Sequence, residues 1–95
     1  MPTTLEKTGN TSTQELIEKS AAILDSMGWV LYRQGDLEKA ADYLRRALAL
    51  SAQDDEIASH LGEVLWMSGD RDAARSVWAE SLDHNPDSEK IRNVL

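Results

Sequence analysis

The sequence contains no cysteine. That absence excludes a disulfide framework and a thiol nucleophile, and it leaves the redox compartment open. No apolar run approaches the ~20 residues that a membrane-spanning helix needs, and Met1 to Ser12 lacks the apolar centre of a signal peptide. For a complete chain the default location is then the cytoplasm; a chain cut from a larger protein carries no such expectation. Basic residues are also in short supply, with 10 Lys and Arg against 17 Asp and Glu and a net charge of −7. A surface of that sign repels phosphate backbones and anionic headgroups, so nucleic acid and membrane contacts are disfavoured and a basic ligand is favoured.

The inventory for chemistry is equally thin. His60 and His84 are the only histidines, and neither belongs to a metal-ligand spacing such as two His one turn apart with an adjacent Glu. His84 falls near a helix C-terminus, where the dipole favours a cation. Asp54-Asp55-Glu56 are three acids in the first turn of a helix, stabilised by its positive end, and their loop has no calcium-binding pattern. The serines have neither His and acid partners nor a nucleophile elbow. No catalytic residue, metal ligand or cofactor is expected, and an enzyme is not indicated.

What the chain does have is a repeat. Its 95 residues, 41% hydrophobic, suffice for one modest domain. Met27 to Leu50 reads as two amphipathic helices joined by one tight turn, and the pattern recurs from Leu61 to His84. Gly28 matches Gly62, Val30 matches Val64, Leu31 matches Leu65, Gly35-Asp36 match Gly69-Asp70, Ala40 matches Ala74 and Leu48 matches Leu82, each pair 34 residues apart. A fixed period of this size marks an array in which each helical hairpin buries its apolar face against a neighbour. Gly28, Ala40, Ala47, Gly62, Ala74 and Ser81 are small residues where two helices would cross closely. Leu24, Met27, Leu31, Leu44 and Leu48 fill the space around the first crossing, and Ala58, Leu61, Leu65, Trp78 and Leu82 repeat them. In each Gly-Asp pair, glycine tolerates the left-handed conformation that ends a helix and aspartate caps the next one.

On these residues, from about Ala21 to Ser88, the chain resembles the tetratricopeptide repeat (TPR) family. It departs from the family's pattern at Leu31 and Leu65, where an aromatic is usual, and at Ala52, where a proline usually closes the repeat; Asn85-Pro86 supplies that proline in the second unit. The resemblance implies an all-α, right-handed superhelix of antiparallel hairpins whose concave groove holds peptides or partner proteins. A looser similarity, to the closing repeats of larger bacterial TPR scaffold proteins, favours a cut fragment.

Taken in order, residues 1–12 have the Thr, Gly and Pro content of a flexible tail. Ser12 with Glu15, or Thr11 with Gln14, forms a capping box that starts a helix near Thr13. No breaker follows before Gly28, so one helix of about 20 residues is expected, and 13–95 form a single domain. The repeats span about 21–54 and 55–88. Leu16 and Ile17 have no place in the two hairpins; they either cover the end of the solenoid or make a homodimer contact. The second helix runs from Asp36 to about Leu50, the third from the Asp54 cap to about Met67, and the fourth from Asp70 to near His84. A fifth, from Asp87 to Leu95 with Pro86 suited to its first turn, is either a closing cap or the first helix of an unfinished third repeat.

Asp25, Trp29, Tyr32 and Arg33 share one face of the first helix, offset from its packing stripe, and Ser59, Glu63, Trp66 and Met67 repeat the arrangement. By similarity to the family this face lines the concave groove, with Trp29, Tyr32 and Trp66 close together. The competing expectation buries these aromatics against a neighbouring hairpin or within an assembly, as in structural terminal repeats or a self-associating unit; Trp78 is assigned to packing. Asp25, Trp29, Ser59, His60 and Glu63 stand where chaperone-tail binders of the family carry cations and asparagines, so a carboxylate clamp is absent. Aromatics flanked by Asp25 and Glu63 suit an apolar or Arg/Lys-bearing peptide. Burying ~100 Å² on each of three aromatics yields roughly 7 kcal/mol at ~25 cal/mol/Å², most of which association costs of ~4–15 kcal/mol would consume. Weak binding by this stretch alone follows.

Overall fold

The computed structural model describes the backbone of residues 2–94 and the side chains of residues 13–94. Five helices follow one another: α1 (Pro2–Arg33), α2 (Leu37–Leu50), α3 (Asp55–Met67), α4 (Arg71–His84) and α5 (Glu89–Arg92). No strand occurs among the described residues. The Asp36 carboxylate accepts the Lys39 backbone N–H, Asp54 those of Glu56 and Ile57, and Asp70 that of Ala73. Each aspartate thus satisfies backbone donors that the first turn of a helix leaves without a partner. Gly35 and Gly69 stand at φ of +89° and +97°, and the next N–H reaches back over the turn, Asp36 to Leu31 O and Asp70 to Leu65 O. Side-chain-bearing residues pay a steric penalty in that conformation, so the two glycines set where the chain reverses.

The small residues work as the repeat pattern requires. A Cβ on Gly28 would stand 2.7 Å from Leu44 Cγ, and one on Gly62 would overlap the Trp78 ring. The core runs through the molecule as a strip: Leu44, Val64 and Ile91 are the largest fully buried side chains, with Ala40, Ala47 and Ala74 at the crossings. α2 is packed between α1 and α3, and α5 closes the far end against α3 and α4. The result is a thin body, 54 × 31 × 16 Å, in which the two hairpins stack side by side.

Two helices, α1 and α5, differ from expectation in their bounds. The first helix does not start at the Ser12 capping box; the helical path begins at Pro2, so within the expected flexible tail over 1–12 the backbone of residues 2–12 extends α1. Pro2 suits the first turn, and no proline interrupts the path before Arg33. Residues 1–12 otherwise lie outside the described side chains. Leu16 and Ile17 are exposed, at 60% and 37%. The fifth helix is one turn, opened by Ser88, whose hydroxyl accepts the Ile91 N–H. Pro86 and Asp87 form a turn ahead of it, because Asn85 N–H still caps α4 on Ser81 O.

Candidate functional site

Helical spacing brings Asp25, Trp29 and Tyr32 of α1 onto the side facing Glu56, His60 and Glu63 of α3. Asp25 is nearly buried, and its Oδ1 lies 2.8 Å from His60 Nδ1. A carboxylate only accepts, so Nδ1 is the protonated ring nitrogen. The His60 ring stacks on Trp29 with centroids 4.2 Å apart and planes 28° apart, and Trp29 meets Tyr32 at 4.9 Å. The Tyr32 hydroxyl donates to Glu63 Oε2 at 2.8 Å. Burial, then the hydrogen bond and charge of Glu63, push the phenol above its ordinary pKa of 10.0.

Trp66 continues this row on α3. It stacks on Trp78 at 5.9 Å, and with Glu63, Trp78 and Val94 it lines a cavity of about 300 Å³. Trp78 is buried as expected, its indole N–H pointing to Ser59 O, yet its edge still forms one wall. The guanidinium groups of Arg71 and Arg75 lie 4.7 and 5.3 Å from the Trp66 ring centroid. The row is therefore acidic at Asp25 and Glu63 and basic beside Trp66. Sequence reasoning did not foresee those arginines, although their spacing of one turn on α4 was visible. Two of the expected groove residues do not join the row. Met67 is exposed and lines a separate cavity, with Gly35, Ala41 and Arg45 among its walls. Arg33 is exposed at the end of α1.

Asp25, Glu56 and His60 offer ligand atoms within 4.8 Å of one another, a cluster that the sequence did not suggest. One atom of each residue is already engaged. His60 Nδ1 holds Asp25, and Glu56 accepts from Lys90 at 2.9 Å, a contact that lowers the Glu56 pKa and raises that of Lys90. The row presents indole rings, one oriented carboxylate and a small cavity.

No helix among the described residues is long and apolar enough to cross a membrane. The family profile described as tetratricopeptide repeat matches residues 31–95. A TPR repeat-containing protein of Pseudomonas aeruginosa is 62% identical over 42 residues, which is 44% of this chain and 7% of that protein. The chain thus matches only a small part of its relative's length. TPR repeats generally mediate protein–protein interaction, and the family is a non-enzymatic interaction module. With five helices among the described residues, two hairpins whose matched positions lie 34 residues apart and a profile match over most of its length, this chain belongs to the tetratricopeptide repeat family.

Proposed function

We propose that the chain binds a partner protein through the row formed by Trp29, Tyr32, Glu63 and Trp66, with Asp25 and His60 as its support. The observation that carries this reading is the continuity of the row across two hairpins. Trp29 touches Tyr32, Tyr32 holds Glu63, and Glu63 shares a cavity with Trp66. Trp29, Tyr32, Glu63 and Trp66 are all partly exposed, so the face is open to a ligand. The Asp25–His60 pair fixes the tilt of Trp29 before any partner arrives, which reduces the ordering cost of binding.

The occupant that fits is an apolar side chain in the cavity beside Trp66 and Val94, with a positive charge next to Glu63. Arg71 and Arg75 discourage a second cation at the Trp66 end. Tryptophan fluorescence, titrated with synthetic peptides that pair one Lys or Arg with apolar neighbours, tests the reading. Saturable quenching is expected, weakened at least tenfold by Trp29→Ala with Trp66→Ala, whose circular dichroism should remain helical. Equal response to glutamate-bearing peptides would end the proposal. No enzymatic role is proposed.

A further inference from the structure

Of the eight exposed large hydrophobic side chains among the described residues, five lie on α1: Leu16, Ile17, Ile23, Met27 and Val30. Leu16, Ile23, Met27 and Val30 follow one another at steps of seven, four and three residues. That draws a straight stripe along one side of the helix, and Trp29 and Tyr32 lie on the other side. The repeat reveals what such a stripe is for. One period later, Ile57, Leu61 and Val64 are 2%, 2% and 0% exposed, sealed in the cores that α2 and α3 share. Their counterparts Ile23, Met27 and Val30 are 59%, 41% and 53% exposed.

A stack of hairpins needs a polar outer face at each end. At the α5 end Ile91 is fully buried and Val94 is the one exposed large hydrophobic side chain among the described residues. The α1 edge falls further from the requirement, with five. Beside the stripe lies an apolar groove of about 440 Å³ between α1 and α2, walled by Met27, Val30, Leu31 and Tyr43 with Ser26 and Lys39.

We infer that this edge docks a second copy of the chain, α1 lying against its counterpart across a two-fold axis. This goes beyond the partner-binding row, which lies on the opposite side of α1. Three observations select the occupant. The chain's own N-terminal segment cannot cover the edge in the way α2 covers α3. One period before Ala41, Leu44 and Leu48 of α2 stand Lys7, Asn10 and Gln14, which have no apolar face to offer. A head-to-tail copy cannot do so either. The receptive face of α2 is already under α3, and the matching positions on α4 are Arg75, Trp78 and Leu82, with Trp78 and Leu82 packed into the core. The stripe itself is the remaining apolar surface of the right length, and in an isologous pair it meets an identical stripe. No carboxylate lines the groove, which limits like-charge repulsion there between two chains of net charge −7.

Light scattering after size exclusion, from micromolar to submillimolar chain, is the test. The expected mass is twice 10.6 kDa. A monomer throughout, or an open-ended series of larger species, overturns the inference. Met27→Glu with Val30→Glu should halve the mass without changing helicity, since both sites are exposed; a dimer that survives this change refutes it. Met67→Glu, elsewhere on the surface, should leave the dimer intact, and loss of the dimer there would also refute it. Because the chain has no cysteine, Ile23→Cys gives a readout that does not depend on a disruptive charge. Mild oxidation should cross-link it to its counterpart far faster than Met67→Cys, and equal rates overturn the proposal. Trp29→Ala with Trp66→Ala should not alter the mass, so failure of the row and failure of the dimer are distinguishable.

Discussion

Single side chains decide how closely the hairpins can fold. Gly62→Ala would gain helix propensity of up to ~1 kcal/mol, but the added methyl would overlap the Trp78 ring, and overpacking costs typically ~1–3 kcal/mol. A net loss of stability in urea denaturation is expected, with a shift in Trp78 emission. Ser81 presents the opposite case. It fills the small-residue position that Ala47 holds in the first hairpin, and its hydroxyl is buried without a hydrogen-bond partner. Removing a buried polar atom in that state relieves a desolvation cost of ~1–3 kcal/mol. Ser81→Ala should therefore raise the melting temperature by several degrees, about what 1 kcal/mol produces in a chain of this size. A lower melting temperature would mean that the hydroxyl does find a partner in solution. Gly35 and Gly69 were legible in the sequence because a turn's dihedral needs are local. The unsatisfied hydroxyl was not, because Ser81 lacks a partner only through what surrounds it.

Among the elements, α5 shows how a short helix is held by its contacts. One turn has almost no helical stability of its own; it is ordered by Ile91, which is fully buried, and by the Ser88 hydroxyl donating to Asp55. Ile91→Ala should destabilise the chain by about 2–4 kcal/mol, measurable by thermal unfolding. The Lys90–Glu56 pair adds a pH dependence. Lys90 holds the Glu56 pKa below 4.5, so that pair's contribution is present above pH 4.5 and is lost as pH falls through the folded value. The Lys90 pKa is raised above 10.5, so the contribution is also lost as pH rises through that folded value. Both partners are about half exposed, which limits the pair to a few tenths of a kcal/mol. On acidification the Ile91 methyl resonances should broaden before those of Leu44 change, and Lys90→Met should remove that early step. α4 ends at His84 as expected, whereas the start of α5 was misjudged from sequence because Asn85, Pro86 and Ser88 are all plausible helix openers. Packing of Ile91, five residues further on than Pro86, selects Ser88.

Across the whole molecule, a body only 16 Å thick buries its core between few layers, and a chain of this length has a modest margin of stability. If the α1 edges pair, burial there adds to folding, and the unfolding midpoint should rise with protein concentration. A midpoint independent of concentration would argue for an isolated monomer. The sequence by itself determined the period, the helix count, the Gly-Asp turns and the small-residue crossings. All of these depend on residues within a few positions of one another or on a spacing repeated in register. Only the tertiary structure decided which side chains of different helices meet. It ties Asp25 to His60 and Tyr32 to Glu63, sets Arg71 and Arg75 on Trp66, sends Met67 to another cavity and leaves Ile23, Met27 and Val30 uncovered. Those outcomes follow from the angle and offset at which α1, α3 and α4 pack, a property of the assembled layers that no short stretch of sequence encodes.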